Sequence, residues 1–279
     1  MECFEQSASA KGPSLFLLSS WAEREPRLTA GFTGRAGGVS AIPRASLNMG
    51  LHVGDDASSV VRNRELLCEA VGWPFASFTC GEQVHGNAVY RVKAADRGKG
   101  NRSRETAVQN TDALMTDEPD TLLVSFYADC VPLYFYDPEH RAVALAHAGW
   151  KGTALQIASE TVSAMSSAYG TRPEKLLAAI GPSIGDCCYE VDEYVISRLL
   201  PVIRECNADE ETALKPAAPG KAMANLKEIN RQIMIKAGIL PIHIEMSNWC
   251  TGCNTDLFFS HRAEGGETGR MASWIGFRK

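Results

Sequence analysis

The sequence has no apolar run long enough to cross a bilayer, which requires about 20 consecutive apolar residues, so we expect no membrane segment. It also lacks an excess of positive charge, because 28 lysines and arginines face 33 aspartates and glutamates for a net charge of −5. That balance argues against a nucleic acid as the main partner. The N-terminus offers only the short apolar stretch LFLL, without a basic leader. No secretory signal is therefore predicted, and a cytoplasmic location is favoured.

Nucleotide-binding motifs and a disulfide framework are missing as well. The glycine-containing segments do not occur as GxGxxG between a strand and a helix, and no GK[ST] is present. Neither a dinucleotide-binding fold nor a P-loop is predicted. Nine cysteines form an odd number without a framework spacing, in a chain of 279 residues that can bury a core without cross-links. Reduced thiols are therefore expected.

Hydrophobic periodicity predicts strands and helices that do not alternate strictly. Helical patterns cover 57–71, 153–169, 191–200 and 224–237, and Gly170 is a natural stop for the second of these. Short apolar runs predict strands at 14–18, 88–93, 121–127, 131–136, 142–147, 177–180 and 242–246. Such a mixture is typical of an α/β fold with mixed β-sheets.

Two segments are expected to carry little structure. Residues 1–13 should form a flexible N-terminal tail. Residues 94–112, AADRGKGNRSRETAVQNTD, are rich in charge, Gly, Ser and Asn and have little to bury. This segment is expected to be a long mobile excursion, either a solvated loop or a lid, and its composition favours the loop.

The stretch ADCVPLYFYDPEHRAVALAHAGWKG places Cys130 and His147 at the ends of two apolar runs. Asp-Pro chemistry in DPEH predicts a turn between the runs. If residues 137 and 140 face each other across that turn, Cys130 faces His147 directly, with Cβ atoms about 4.5–5.5 Å apart. The two residues could be ordinary members of the core, or they could form a thiolate–imidazole pair or two ligands of one metal. A slip of one residue would put them on opposite faces.

A second histidine, His85 in CGEQVHGNAVYRV, lies between a polar turn and a strand, where packing does not require it. Two histidines and a cysteine thiolate match an open catalytic zinc site, in which the fourth tetrahedral position is left for water or substrate. Nitrogen and thiolate ligands also suit copper. The residue types therefore indicate a zinc site, or alternatively a copper site, at His85, Cys130 and His147.

The remaining cysteine motifs carry weaker signals. CTGC, residues 250–253, is a single C-x-x-C without a second pair or a thioredoxin-like surrounding, and we interpret it as a coincidental pair. The adjacent cysteines of DCCYE, residues 186–190, would point apart in an extended chain. They are therefore not expected to serve one metal.

Two glycine-containing loops hold arginines. The segment FTGRAGGVSAIPRASLNMG contains Arg35 and Asn48, and FFSHRAEGGETGRMAS contains His261, Arg262 and Arg270. Such loops could offer backbone N–H groups and guanidinium groups to an anion, or they could be surface turns. Neither loop decides between the two alternatives.

Several segments together resemble one family, the YfiH/YlmD proteins, also called laccase-domain or polyphenol oxidase-like proteins. The matching pieces follow the family order from roughly residue 32 to residue 274 and include GRAGGVS, SLNMGLHVGDD, QVHG, TDALMT, ADCVPL, AHAGWKG, IGPSIGDCCYEV and FFSHR…TGRMAS. Each piece is weak alone, whereas the combination is specific. The resemblance covers nearly the whole chain.

The resemblance implies a single layered α/β/β/α catalytic domain over residues 14–279. It also implies that His85, Cys130 and His147 bind one metal, with Cys130 and His147 as catalytic residues. The implied activity is phosphorolysis of adenosine, inosine and S-methyl-5′-thioadenosine, with some adenosine deamination. Purine nucleoside and phosphate are then the expected partners of a monomer or homodimer.

Four residues become candidates for holding these substrates, namely Arg35, Asn48, Lys151 and Arg262. The chain departs from the family at Ala30-Gly31-Phe32, where His-Gly-Phe is usual, and at Lys151, where arginine is usual. Lysine offers a positive charge but lacks the bidentate fork of arginine. Phosphate affinity or substrate preference is therefore expected to differ if Lys151 touches phosphate.

Other functions stay open at this point. The older family label is copper-dependent oxidation of phenols, although six histidines are few for a histidine-rich multicopper centre. Cys130 could instead be a nucleophile activated by His147 in a hydrolase, which fits the link of some family members to peptidoglycan editing. The metal site could also be purely structural. Metal-dependent purine nucleoside phosphorolysis is the leading hypothesis.

Overall fold

The strands and helices below are those of a computed structural model, which describes residues 2–7 and 12–279. The strands are β1 (Glu5–Gln6), β2 (Leu15–Leu17), β3 (Leu28–Thr33), β4 (Phe78–Cys80), β5 (Val89–Arg91), β6 (Ala113–Thr116), β7 (Leu122–Tyr127), β8 (Val131–Asp137), β9 (Ala142–Ala148), β10 (Leu177–Ile180), β11 (Glu190–Asp192), β12 (Leu214–Pro216), β13 (Lys221–Ala224), β14 (Ile244–Met246) and β15 (Met271–Phe277). The helices are α1 (Ser19–Arg24), α2 (Ala57–Val71), α3 (Trp150–Ala154), α4 (Ile157–Tyr169), α5 (Glu193–Glu205), α6 (Glu210–Ala213) and α7 (Leu226–Lys236). In the described part of the chain, no helix has the length and apolar character needed to cross a membrane.

Within these residues, the strands form two six-stranded sheets and one three-stranded sheet. The first sheet has the order β1-β2-β3-β15-β7-β4, the second has the order β14-β10-β8-β9-β6-β5, and the small sheet has the order β11-β13-β12. Most neighbouring strands are antiparallel, whereas β4–β7, β10–β14 and β5–β6 are parallel. The sheets are therefore mixed, as the sequence predicts.

Three clusters of buried side chains join four layers. Helix α2 packs through Leu67 against one face of the first sheet, around Phe78 and Trp274. The other face of that sheet packs on the second sheet through a cluster rich in aromatic residues that includes Phe32 and Tyr134. Helices α4, α5 and α7 cover the remaining face of the second sheet. The layers thus follow the order α/β/β/α, which confirms the expected fold.

Most of the predicted elements are present, but eight of the fifteen described strands were not predicted, among them the central strands β3 and β15 of the first sheet. Helix α2 has the predicted limits, and Gly170 ends α4 with a left-handed φ of 76°. The helix predicted over 153–169 is divided into α3 and α4 because Gln156 between them has a φ of 55°. Strand β3 was not predicted because Gly31 interrupts its apolar pattern. A Cβ at Gly31 would overlap the ring of Trp274 in β15.

The described part of the predicted flexible tail is ordered. Phe4 is fully buried, and its ring centroid lies 5.4 Å from that of Tyr134. Strand β1 pairs antiparallel with β2 at the edge of the first sheet. The expectation of a flexible tail is therefore wrong for residues 2–7, because one buried ring and one strand pair anchor them. Residue 1 and residues 8–11 lie outside the described residues.

The polar segment 94–112 is anchored to the layers. Arg64 of α2 is 2% exposed and donates hydrogen bonds to the carbonyls of Gly100 at 2.7 Å and Asn101 at 3.0 Å. Asp96 is also buried. A buried guanidinium requires such partners, so a polar loop can be fixed with little apolar burial. The segment is therefore a loop with many exposed residues, as its composition favours, and these contacts tie it to the layers.

Strands β8 and β9 form the predicted hairpin in a different register. Asp137 pairs with Ala142, not with His140. The carboxylate of Asp137 accepts the N–H groups of Glu139 at 2.9 Å and His140 at 3.2 Å, and Arg141 has a φ of 49°. These contacts close a four-residue loop where the sequence predicted a two-residue turn.

The changed register keeps Cys130 and His147 on one face. His147 pairs with Pro132, so the predicted direct opposition with Cys130 is wrong by two residues. Side chains alternate along a strand with a period of two, and a shift of two therefore preserves the face. Cys130 and His147 are diagonal neighbours that both point between the two large sheets.

Candidate metal centre and adjoining pocket

Cys130 lies at a sharp bend directly before β8. Asp129 has a left-handed φ of 85° and is 7% exposed. Its carboxylate accepts hydrogen bonds from the Thr251 hydroxyl at 2.6 Å and from the Arg262 amide at 2.7 Å. Non-glycine residues rarely adopt this backbone conformation, so these contacts hold the bend that presents the Cys130 thiol.

His85 lies in the loop between β4 and β5 and is held by a distant carboxylate. Asp112, directly before β6, accepts the amides of Val84 at 3.1 Å, His85 at 2.9 Å and Gly86 at 2.8 Å. His85 itself has a φ of 62°. The three hydrogen bonds fix this loop beside the end of β9, which brings two histidines together.

Asp112 also orients His147. The Asp112 Oδ1 atom lies 3.0 Å from Nδ1 of His147, and the Asp112 carbonyl accepts the His147 amide at 2.8 Å. An Nδ1–H that donates to a carboxylate leaves Nε2 as the free ring nitrogen, which is the usual arrangement for a metal-binding histidine. Both residues are nearly inaccessible to solvent, so the ring orientation is fixed.

The donor atoms of His85, Cys130 and His147 converge. One ligand atom from each of the three residues lies within 4.8 Å of the other two, and the ring centroids of the two histidines are 4.9 Å apart. Two imidazoles and one thiolate suit zinc and leave a tetrahedral position open. The residues therefore fit the predicted metal in number, in chemistry and in mutual distance.

Gly149 leaves room for this cluster. A Cβ at this position would lie 2.9 Å from Sγ of Cys130 and 3.3 Å from Cδ2 of His85. The backbone of Gly149 has a φ of −71°, which other residues adopt readily. The glycine is therefore needed for space next to the thiol, not for backbone conformation.

When no metal is bound, Cys130 and His147 shift each other's pKa. Burial raises the pKa of the Cys130 thiol, but the neighbouring imidazoles of His147 and His85 outweigh it and lower this pKa to about 6. Burial lowers the pKa of His147, whereas the Cys130 thiolate and the Asp112 hydrogen bond raise it to about 9. At neutral pH the metal-free pair is therefore a thiolate beside an imidazolium. Metal binding must displace the imidazolium proton.

A pocket of about 350 Å³ opens over His85 and Cys130. Its other lining residues are Ala128, Asp129, Gly149, Trp150, Lys151, Ile184, Tyr189, Leu226, His261 and Arg262. The wall thus combines apolar and aromatic side chains with two cations, and the thiol and one imidazole of the cluster form part of its surface. Such a mixture is typical of a small-molecule site.

The two cations of the pocket are held differently. The Nη1 group of Arg262 donates to the Glu190 carbonyl at 2.6 Å, and its guanidinium lies 5.0 Å from the ring centroid of Tyr189. Lys151 belongs to α3, and its Nζ atom lies 5.6 Å from the ring centroid of Trp150. Both predicted substrate residues therefore reach the pocket, Arg262 in a fixed position and Lys151 on an exposed side chain.

Arg35 and Asn48 are not among the residues that line this pocket. Arg35 donates to the Thr255 carbonyl at 2.6 Å and forms a 3.0 Å ion pair with Glu264. Asn48 is fully buried, and its side-chain oxygen accepts the Arg270 amide at 2.8 Å. These contacts tie the two glycine-containing loops together, so the structure gives both residues partners within the protein.

Sequence reasoning missed Asp112 and the grouping of four cysteines. Asp112 is the second residue of the piece TDALMT, where an acidic residue directly before a buried strand was the available signal. Cys187, Cys188, Cys250 and Cys253 present Sγ atoms within 4.8 Å of one another. The expectation that the adjacent cysteines point apart is therefore wrong, because both present Sγ to the same place as the CTGC pair.

The chain is similar to proteins of one family over almost its whole length. A family model described as multi-copper polyphenol oxidoreductase laccase matches residues 29–278. A protein named purine nucleoside phosphorylase YlmD from Geobacillus stearothermophilus is 45% identical over 250 residues, 90% of each chain. A protein of the same name from Bacillus subtilis is 40% identical over 270 residues, 96% of each chain.

Solved structures agree with this similarity. The crystal structure of YlmD from Geobacillus stearothermophilus has a TM-score of 0.92 to this chain at 42% identity, with 100% of both chains covered. That of the Bacillus licheniformis hypothetical protein YfiH has a TM-score of 0.91 at 40% identity, covering 98% of this chain and 99% of that one. The chain therefore belongs to the YfiH/YlmD family of laccase-domain proteins.

Proposed function

We propose that this chain is a purine nucleoside phosphorylase with zinc held by His85, Cys130 and His147. The observation that carries the proposal is the pocket floor, where an open two-histidine, one-thiolate cluster lies beside the cations Lys151 and Arg262. This combination suits a reaction between an anion and a neutral, largely aromatic molecule. The names of the relatives from Geobacillus and Bacillus support the same reaction.

In phosphorolysis, the two cations and the metal cluster have different roles. An oxygen of phosphate forms a bond to C1′ of the ribose while the bond from C1′ to the purine nitrogen breaks, and the purine leaves with the electron pair and takes up a proton. Lys151 and Arg262 supply positive charge for the phosphate. A zinc ion bound at the cluster supplies Lewis acidity at its open position.

Tyr189 is the candidate hydrogen-bond donor for the nucleoside. Burial raises the pKa of its hydroxyl well above the usual value, so the group stays protonated at neutral pH. Its ring already contacts Arg262, which positions the guanidinium and the phenol on the same wall. A protonated phenol can donate to a ring nitrogen of a purine or to a sugar oxygen.

The proposed substrates are adenosine, inosine and S-methyl-5′-thioadenosine, with adenosine deamination as a second activity. They follow from the family motifs around His85, Cys130 and His147. The full H-x-E…P-C-x-x-C signature of cytidine-type deaminases is absent, because the one C-x-x-C, at residues 250–253, follows Trp249 and not a proline. Any deamination therefore uses a different arrangement of groups from that class.

The test is incubation of zinc-loaded protein with each nucleoside, with and without phosphate. We expect free base and ribose 1-phosphate, or its methylthio analogue, only with phosphate, and inosine from adenosine in both cases if deamination occurs. Lys151→Gln should raise the KM for phosphate, whereas Lys175→Gln, at an exposed position outside the pocket, should not. Absence of free base from all three nucleosides would contradict the proposal.

A second candidate is acyl transfer with Cys130 as nucleophile, as in a hydrolase for peptidoglycan editing. The lowered pKa of Cys130 beside His147 favours it, because a thiolate is the reactive form. The two functions differ in their response to zinc. A hydrolase of this kind should lose activity when zinc occupies the thiolate, whereas the phosphorylase should gain it.

Copper-dependent oxidation of phenols receives less support. Among the described residues, the groups that could hold a metal are the His85 cluster, with two histidines, and the group of four cysteines. Neither provides the histidine-rich ligand set of a multicopper centre. Oxygen consumption with a phenol that depends on added copper and disappears in His147→Ala would reverse this ranking.

A further inference from the structure

A cluster of four cysteine thiols lies apart from the cluster of His85, Cys130 and His147. The Sγ atom of Cys253 is 3.4 Å from that of Cys187 and 3.3 Å from that of Cys188. Cys250 completes the group, and all four sulfur atoms lie within 4.8 Å of one another. The cluster joins two loops that are more than sixty residues apart in the sequence.

The spacing of these sulfur atoms suits a tetrahedral metal. A zinc–thiolate bond of about 2.3 Å places tetrahedral sulfur ligands about 3.8 Å apart. Two of the separations, 3.3 and 3.4 Å, are slightly below this value and none exceeds 4.8 Å, and all are well beyond the roughly 2.05 Å of a disulfide bond. Four cysteines and no histidine or water position form a closed set, which is characteristic of structural zinc.

The backbone of the two loops allows the four cysteines to lie close together. Residue 183 forms a parallel bridge with Cys250, and the Gly185 amide donates to Sγ of Cys250 at 3.1 Å. A Cβ at Gly185 would lie 3.1 Å from Sγ of Cys187, and one at Gly252 would lie 2.9 Å from Cβ of Cys188. Both glycines therefore make room for the cysteines of the cluster.

The adjacent cysteines reach one centre because they lie in a turn. The Cys188 amide donates to the Gly185 carbonyl at 3.0 Å, which closes a turn over residues 185–188. In an extended strand the two side chains would alternate between faces. In this turn both sulfur atoms lie within 3.4 Å of that of Cys253.

A buried cation lies beside the cluster. Lys227 of α7 is 7% exposed, and its ammonium donates to the carbonyls of Ser247 at 2.9 Å and Trp249 at 2.6 Å. Trp249 directly precedes Cys250. No carboxylate of the described residues lies within salt-bridge distance of this ammonium. Buried charges are normally paired, and a divalent ion with four thiolates carries a net double negative charge.

We propose that Cys187, Cys188, Cys250 and Cys253 form a structural zinc site. The bound ion links the two loops, and Thr251 between its ligands donates to Asp129, the residue before Cys130. The site thereby stabilises the wall of the pocket without contacting the reactants. This inference does not depend on the proposed phosphorylase activity.

The test measures the zinc bound to a variant in which the metal site at His85, Cys130 and His147 has been removed by substitution. Cys130→Ser, purified without chelator, should retain one zinc ion per chain. Cobalt substituted into this protein should give the intense absorption bands of tetrahedral sulfur coordination. Adding Cys253→Ser, at an exposed position, should abolish zinc retention, whereas adding Cys206→Ser, a cysteine outside both clusters, should not.

Two results would overturn the proposal. One is Cys130→Ser protein that is folded by circular dichroism and holds no zinc. The other is a mass two hydrogens lower than the reduced chain together with loss of free thiols, which would show a disulfide in the cluster. Both measurements use protein with all four cluster cysteines intact, so they hold even if the double variants misfold.

Discussion

At the scale of single residues, Asp112 connects the parts of the metal centre. Its carboxylate accepts hydrogen bonds from three backbone amides of the His85 loop and from Nδ1 of His147. Burial raises its pKa, but these hydrogen bonds and the charge of His147 hold the pKa below its usual value. The ionised side chain of Asp112 thus fixes both the loop that carries His85 and the ring of His147.

Replacing Asp112 with asparagine should weaken metal binding. The amide has one acceptor oxygen, so its NH₂ group must face a backbone N–H or Nδ1–H of the cluster. We expect zinc affinity to fall by about 10–100-fold, measured by competition with a chromogenic chelator. Asp120→Asn, at an exposed position that also has a left-handed φ, is the matched control. Equal affinities for wild type and Asp112→Asn would contradict this role.

The metal-free thiol should react at unusually low pH. The pKa of Cys130 is about 6 because the imidazoles outweigh burial, so the thiolate dominates above that pH and the thiol below it. Alkylation of zinc-free protein by iodoacetamide should therefore rise through pH 6, measured by mass spectrometry of the peptide that contains Cys130. In His147→Gln the rise should move above about pH 8. A wild-type midpoint near the ordinary cysteine value of about 8.5 would refute the ion pair.

At the scale of elements, the β8–β9 hairpin shows what its sequence can and cannot determine. The apolar runs and the DPEH turn were sufficient to predict two paired strands and the shared face of Cys130 and His147. The register depended on backbone hydrogen bonds donated to the Asp137 carboxylate and on the left-handed conformation of Arg141. Neither is visible in a hydrophobic pattern, so the turn was assigned two residues too few.

Asp137→Asn should destabilise the fold at neutral pH. Although burial opposes it, hydrogen bonds from Thr171 and His140 hold the pKa of Asp137 below its usual value. The unfolded chain therefore binds more protons, and this part of the stability is lost as the pH falls below about 4. We expect a loss of about 1–3 kcal/mol at pH 7, measured by urea unfolding, and a smaller difference from wild type in acid.

The same turn provides a surface control. Glu139 is exposed, and its ion pair with Arg172 is also on the surface. Glu139→Gln should therefore leave the free energy of unfolding nearly unchanged. Asp137→Asn with the same stability as Glu139→Gln at pH 7 would show that the buried hydrogen bonds do not hold the turn.

At the scale of the whole molecule, both candidate metal clusters form where distant loops meet. The limits of α2 and seven of the fifteen described strands follow from local periodicity. The His85 cluster was predicted from its residue types and from the hairpin, and the family motifs supported it. The four-cysteine cluster could not be predicted, because it requires the 183–188 turn to pack beside the 250–253 turn. That packing follows from the parallel pairing of β10 with β14, which no local pattern indicates.

The two clusters should lose metal in different stages. The His85 cluster leaves one position open, whereas the four-cysteine cluster is closed, so a chelator should remove the first ion sooner. We expect nucleoside phosphorolysis to disappear at the first stage, and the unfolding temperature to fall at the second. Parallel titration with chelator, assay and thermal melts measures both. A simultaneous loss of activity and thermal stability would contradict the division of roles.

The proposed function places catalysis at His85, Cys130 and His147, and this assignment is the central claim to test. The decisive measurement is the formation of ribose 1-phosphate from inosine and phosphate, followed by ³¹P NMR, in zinc-loaded wild type and in His85→Ala. The expected result is equal amounts of ribose 1-phosphate and hypoxanthine with wild type, and a rate at least about 100-fold lower in the variant. Unchanged turnover in His85→Ala, or no ribose 1-phosphate from wild type, would contradict this assignment.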